Sequence, residues 1–269
     1  MTRAACADLI AKADPDRLRT ARLAGDRAWR LHALHAFDLE LARIPGLVSE
    51  PMLGEIRLQW WRDVVAEIFD GKTPRAHEVV APLAEAIRAG DLPRAPLDAL
   101  MDARAIDIHG LQPADDAALA SYLEGAYGAS MQLGALALGA DAATGALAAR
   151  VGAATGLGLL IRALPRLYAE GADPIPAGEI DRAALGEGRT PAPLAAALRA
   201  LASDALARLE RTRAERAAPE AIPALVAHWT AEPVLRAALR PGFDLFDGAR
   251  ESEFRKNFRL MSKVVRSTW

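Results

Sequence analysis

From Asp14 onward, apolar residues recur at three- and four-residue spacing, and each interruption is a short segment rich in proline or glycine. No stretch alternates apolar and polar residues with the period of two that a half-buried strand requires. The chain must therefore bury its apolar surface helix against helix. Asp14 and Pro15 start a helix through "DRLRTARLAG" that stops at Gly25. Asp26 is placed to cap the next, "RAWRLHALHAFDLELARI", with Trp29, Ala33, Ala36, Phe37 and Leu41 near one face. Pro45 and Gly46 end it. Ser49 is placed to cap a helix with Pro51 in its first turn and a stripe of Leu53, Ile56, Trp60, Val64 and Ile68. On that stripe Trp60 points inward, and Trp61 lies about 100° around the helix. The spacing predicts further helices at 77–89, 96–108, 115–139, 143–168, 192–217, 219–229 and 252–267. The linkers ("DGKTPR", "GDLPRAP", "GLQPADD", "EGADPIPAGE", "GEGRTPAP") are too short to tether separate domains, so one all-α domain of roughly ten helices is expected over residues 1–269.

A chain of 269 residues can bury a sizeable core, and 52% hydrophobic with 25% charged residues is the balance of a soluble protein. The net charge of −2 supplies no global field toward nucleic acid, and no nucleic-acid partner is expected. Cys6 is the sole cysteine, which excludes an intrachain disulfide and a multi-cysteine zinc site and suits a reducing, cytoplasmic setting. The opening "MTRAACADLIAKADPD" is broken by Lys12 and Asp14 and does not fit a signal peptide. Apolar density peaks over 151–164, where Arg150, Arg162 and many small residues point to a buried helix rather than a membrane span.

Acid pairs four apart put two carboxylates on one helix face, where they can share a divalent cation with a diphosphate. Asp98 with Asp102, and Asp63 with Glu67, have that spacing, with Asp70 following the second pair. Solvated helix faces show the same spacing, so a cation site needs a second cluster across the same cavity. His32, His35, His77, His109 and His228 form no complete metal motif; His35 and Asp38, three apart, share a face but are too few for a site. There is no nucleophile elbow, P-loop or strand-borne G-x-G-x-x-G, and the glycines of "GLGLL" (156–160) suit close helix packing. The final segment, "ESEFRKNFRLMSKVVRSTW", places Arg255, Lys256, Arg259, Lys263 and Arg266 beside an apolar face of Phe254, Phe258, Met261 and Val265. Such a helix lies on an anionic membrane, docks on a partner, or packs as the last helix of its domain.

Three stretches carry a resemblance. "DRAWRLHALHAFDLELARI" (26–44), "LGEIRLQWWRD" (53–63) and "VGAATGLGLLIRALPRLYAEGADPIPAGEI" (151–180) resemble, in order, helices of the squalene/phytoene synthase family, with "LMDARAIDI" and "YLEGAYGASMQLGALALG" fitting between them. The resemblance implies an all-α isoprenoid-synthase-type helical bundle around a central cavity. Its enzymes join two prenyl diphosphates head to head, using two aspartate-rich segments that hold Mg²⁺ against the leaving groups. Counting from Phe37, the first acidic cluster falls on Ala42, Arg43 and Gly46. The second fits over "GLGLLIRA", with Arg162 as its arginine, Gly156 and Leu159 for its amides, and Ala163 and Leu167 for its acids. Arg27 resembles the family's diphosphate-contacting arginine, so Arg27, Arg43, Trp60 and Arg162 are the candidate anion or cavity contacts.

"AFDLELARIPGLVSEPMLGEIRLQWWRDVV" and "LIRALP" are similar to a non-catalytic branch of the family, the mitochondrial complex I assembly factor-like proteins. That likeness implies a protein without cofactor, assisting respiratory complex I through its subunits or assembly proteins. It also implies a cavity able to hold an isoprenoid or lipid. The basic final segment separately offers Arg255, Lys256, Arg259 and Lys263 for contact with a partner or with the inner face of a membrane. The alternative is a Mg²⁺-dependent head-to-head prenyltransferase using relocated acids: Asp63, Glu67, Asp98, Asp102 and Asp107.

Overall fold

The computed structural model describes residues 3–247, 253–266 and 269, with the backbone alone at 253–256. The helices in chain order are α1 (Arg3–Ala13), α2 (Pro15–Arg22), α3 (Ala28–Ala42), α4 (Pro51–Phe69), α5 (Val80–Gly90), α6 (Arg94–Ile108) and α7 (Asp116–Leu123). They continue with α8 (Ala129–Ala137), α9 (Ala142–Ala169), α10 (Arg182–Gly186), α11 (Ala192–Arg213), α12 (Ile222–Leu225), α13 (Ala231–Ala238) and α14 (Glu253–Val265). Among the described residues there is no strand.

Aspartate side chains start four of these helices. Asp14 accepts from the Arg17 amide at 3.0 Å, Asp115 from Ala118 at 2.8 Å, Asp141 from Thr144 at 2.8 Å and Asp181 from Ala184 at 3.0 Å. Each satisfies an amide that has no partner inside its own helix. The caps expected of Asp26 and Ser49 do not form: a tight turn, Gly25–Arg27, leads into α3, and α4 begins after Glu50 without a side-chain cap. The helix expected over 115–139 contains one wide turn, Glu124–Gly128, where the Ala129 amide reaches back five residues to the Glu124 carbonyl. The helix expected over 219–229 shrinks to α12, and α13 follows as a helix the sequence did not reveal, because Pro233 in its first turn reads as a breaker.

The buried face of α4 differs from the stripe read in the sequence. Leu58, Trp61, Val64, Val65 and Ile68 face the core, Trp60 is only half-buried, and Leu53 and Ile56 are 46% and 61% exposed. Both faces of α4 are apolar, so periodicity alone could not choose. Packing against α3 settles it: the Trp61 ring meets Phe37 edge-on, centroids 5.3 Å apart.

α9 is the long central helix. It is long and apolar enough by composition to cross a membrane, but 67% of its apolar window is buried inside the bundle. Its glycines bring neighbours close, as the sequence suggested. A Cβ at Gly158 would fall 2.5 Å from the Ala231 carbonyl oxygen, and one at Gly156 would fall 2.5 Å from the Tyr127 ring.

Candidate functional site

α2, α3, α6 and α8 converge on one carboxylate. Asp38, in the middle of α3, is 1% exposed. Its Oδ1 accepts from Arg104 Nε at 3.2 Å and Nη2 at 2.8 Å, and its Oδ2 accepts from Arg17 Nη1 at 2.8 Å and the Ser130 hydroxyl at 3.3 Å. Four donors fill the acceptor capacity of the group. Arg104 also donates to Asp107 at 3.1 Å, and the Tyr122 hydroxyl donates to the other Asp107 oxygen at 2.9 Å. Two guanidinium groups from α2 and α6 thus share Asp38 of α3, with Asp107 as a second partner of Arg104 and Asp14, at 3.8 Å, as a second partner of Arg17. Burial alone would raise the pKa of Asp38, but the charges and hydrogen bonds of Arg104 and Arg17 outweigh it and hold the carboxyl well below the usual range.

Around this ion cluster lies a second layer. Tyr127, from the wide turn, meets Tyr122 and His228 edge-on with centroids 6.4 Å and 5.9 Å apart, and the Arg104 guanidinium lies 5.8 Å from its ring centre. His228 Nδ1 lies 2.8 Å from the Thr155 hydroxyl, which itself donates to the Val151 carbonyl at 2.7 Å. Burial and the nearby Arg17 charge push His228 down to about 3. His35, one turn before Asp38, is 4% exposed, and neither ring nitrogen has a protein partner. Burial, reinforced by Arg17, holds it neutral.

A smaller polar site lies at the end of α3. Glu40 is 5% exposed; its Oε2 accepts from Arg43 at 2.7 Å and faces His77 Nε2 at 3.9 Å, while Oε1 is buried without a partner. Trp60 and Trp61 pack against the His77 ring at 5.5 Å and 5.1 Å.

The residues singled out by resemblance have other employment. Arg27 donates to the Leu138 carbonyl at 2.5 Å and Arg30 to the Ala137 carbonyl at 2.8 Å, tying the start of α3 to the end of α8. Ala42, Arg43 and Gly46 are exposed; Ala163 and Leu167 are half-buried. Arg162 is exposed on α9 and donates to Thr230 at 3.1 Å, two residues beyond His228, whose protonation its charge opposes. An open depression of about 380 Å³ touches Arg27, but it is lined by Leu23, Ala24, Asp26, Leu138, Pro219, Glu220 and Pro223, outside the bundle.

The fallback acids do not converge. Asp63 accepts from Gln59 at 2.8 Å; Glu67 pairs with Arg75 at 2.7 Å; Asp98 pairs with Arg94 at 3.1 Å; Asp102 pairs with Arg62 at 2.8 Å. Only Asp107 reaches the centre, where Arg104 holds it. Among the described residues, no three His, Cys, Asp or Glu side chains are grouped to hold a metal ion. The Mg²⁺ clusters implied by the resemblance do not fit the side chains present: their positions carry Ala42, Arg43, Gly46, Ala163 and Leu167, and the central acids Asp38 and Asp107 are already bonded to arginine. Lys263, expected at a membrane or partner surface, is instead buried against Glu232 at 2.9 Å. The side chains of Arg255 and Lys256 lie outside the described residues.

An all-helical bundle with its polar centre on facing helices defines the chain as an isoprenoid-synthase-type fold. The squalene/phytoene synthase family model matches residues 11–260, and the chain belongs to that family. The structure is similar to a dehydrosqualene synthase solved in complex with ligand, with TM-score 0.82, 19% identity, and 98% of this chain and 96% of that one covered. It is also similar to squalene synthase HpnC from Alicyclobacillus acidocaldarius, with TM-score 0.75, 16% identity, and coverage of 90% and 94%. In sequence, the chain is 34% identical over 101 residues to NADH dehydrogenase (ubiquinone) complex I, assembly factor 6, from Bos taurus. That match spans 37% of this chain and 30% of the bovine protein.

Proposed function

We propose that this chain is a squalene/phytoene synthase-fold protein that has exchanged prenyl transfer for a binding role in the assembly of respiratory complex I. The observation that carries the reading is the bonding of Asp38. The carboxylate facing the centre is sandwiched between Arg17 and Arg104 with all four acceptor positions used; of the candidate acids, Asp107 is held by Arg104 and Tyr122, and Glu67, Asp98 and Asp102 pair with other arginines outside that cluster. Diphosphate departure needs cations that neutralise the leaving group, and a carboxylate already paired with arginine does not recruit them. The partial likeness to a complex I assembly factor supports the choice of client. In this role the protein works in a reducing compartment, at the inner face of the membrane that carries the complex, with complex I subunits or other assembly proteins as partners.

Calorimetric titration with farnesyl diphosphate, with and without Mg²⁺, tests the loss of chemistry when released diphosphate is assayed in the same mixture. No diphosphate release is expected; Mg²⁺-dependent release would return the chain to the prenyltransferases and make Asp107 the acid to mutate. Metal-independent binding without turnover would identify a retained isoprenoid site. Deletion of the gene in its host tests the client. Assembled NADH dehydrogenase is expected to fall and to recover with the wild-type chain, whereas unchanged assembly rejects that role.

A further inference from the structure

α14 presents two faces, and the outer one is the apolar one. On its inner side Leu260 is buried, Val264 is half-buried, and Lys263 is 9% exposed. Lys263 Nζ donates to Glu232 at 2.9 Å; the same carboxylate accepts from Arg213 at 2.7 Å and from Arg236 at 2.7 Å and 3.0 Å. Beyond the helix, the Trp269 indole donates to the Thr212 hydroxyl at 3.1 Å, and its carbonyl accepts from Arg213 Nε at 2.8 Å. These contacts fix the roll of the helix. Phe258, Met261 and Val265 are left 69%, 66% and 81% exposed, three of the four most exposed large apolar side chains among the described residues.

The spacing i, i+3, i+7 puts those three along one edge, within an arc of about 60°. Arg259 and Arg266 fall on one flank, about 80–100° from Phe258. A helix that fills a protein groove presents a wide face at i, i+3, i+4 and i+7, but the i+4 position here is Ser262, so the apolar strip is one residue wide. A planar lipid surface suits it better. The strip sinks below the headgroups, and the arginine flank meets their phosphates. With a chain net charge of −2, the attraction must come from this flank rather than from the molecule as a whole.

We infer that α14 is an interfacial helix that lays its Phe258–Met261–Val265 edge into an anionic lipid surface, with Arg259 and Arg266 at the headgroups and Lys263 as the internal latch. The inference stands whether or not the chain is catalytic.

The test is co-sedimentation of the full chain with vesicles of phosphatidylcholine alone and of phosphatidylcholine mixed with phosphatidylglycerol. Binding is expected only to the mixture, and rising salt should weaken it. The triple variant Phe258→Ser/Met261→Ser/Val265→Ser should lose at least about tenfold in affinity. Arg259→Gln and Arg266→Gln should each lose about fivefold. Met52→Ser, at an equally exposed apolar residue on α4, should bind as the wild type does. Unchanged thermal midpoints establish that the variants fold. Equal binding to both vesicle types, no binding to the mixture, full binding by the triple variant, or a matching loss in Met52→Ser each overturns the inference.

Discussion

Asp38 on α3 and Arg104 on α6, sixty-six residues apart in sequence, meet through two N–H···O bonds to a single carboxylate oxygen, at 2.8 Å and 3.2 Å. Both side chains are more than nine-tenths buried. The pair joins two helices in the interior of the bundle, and neither residue falls on a position where the resemblance expects an acidic cluster.

Truncation of Asp38 should therefore be severe. Asp38→Ala leaves the buried Arg17 and Arg104 with only Asp14, at 3.8 Å, and Asp107, at 3.1 Å, as counter-ions, and a loss of about 3 kcal/mol is expected. Replacing all three residues with apolar side chains of similar volume should cost far less than the single change. Urea denaturation of the single and triple variants measures the difference, and equal losses would contradict the ion-cluster account.

Stability should fall on the acid side of neutrality before any carboxylate titrates. His228 is ionisable at about 3 in the fold, against 6.5 when exposed, and His35 is held down in the same direction. Between those values the unfolded chain binds protons that the folded chain refuses, so folding is favoured above pH 6.5 and weakened as pH drops toward 3. Below pH 4.5, protonation adds the loss of Glu232, whose carboxyl is pulled against its own burial by Lys263, Arg213 and Arg236 to about 2. A series of urea midpoints against pH reads the slope. His228→Gln should flatten the upper part of it and leave the lower part.

Close packing along α9 gives a paired prediction. Gly158→Ala sets a methyl group 2.5 Å from the Ala231 carbonyl oxygen, a backbone atom that moves only if α13 shifts. The cost should be about 1–3 kcal/mol. Gly46→Ala meets nothing within 4 Å and should be neutral or stabilise by about 0.4–1 kcal/mol. Thermal unfolding distinguishes the two.

Cys6 should be inert in the folded state. It is 1% exposed, and burial, with Glu78 and Glu40 nearby, pushes its thiol up to about 11. Alkylation by iodoacetamide at neutral pH should proceed only as fast as the N-terminal helix opens, and urea should release it. Rapid labelling of native protein would show that α1 is not held against α3.

The helical class, the main helices and the close approach along α9 were legible because spacing, proline and glycine act locally. The centre was not, because its partners are distant in sequence. Asp38 stands out as an acid within the apolar run Ala33–Leu41, and its helix neighbour His35 was noticed with it. Neither shows that Arg17 and Arg104 arrive from two other helices. Arg104 could have been suspected, since it interrupts the buried positions Leu100, Met101, Ala103 and Ile108. The partners of Arg27 and Lys263 are hidden for the same reason. A sequence shows a cation but not the carbonyl of Leu138 or the carboxylate of Glu232 that claims it. On α4, two apolar faces competed and tertiary contact with Phe37 decided between them.

The wide turn at Glu124–Gly128 holds one residue more than an α-helix needs. Deleting a single residue there, such as Ala126, would let the segment close into an unbroken α-helix with each amide still bonded. The turn that projects Tyr127 toward Tyr122, His228 and Arg104 would then be lost. Helix content would stay the same while the neighbourhood of Asp38 came apart. Between residues 124 and 128, chain length decides as much as side-chain identity what the middle of this protein contains.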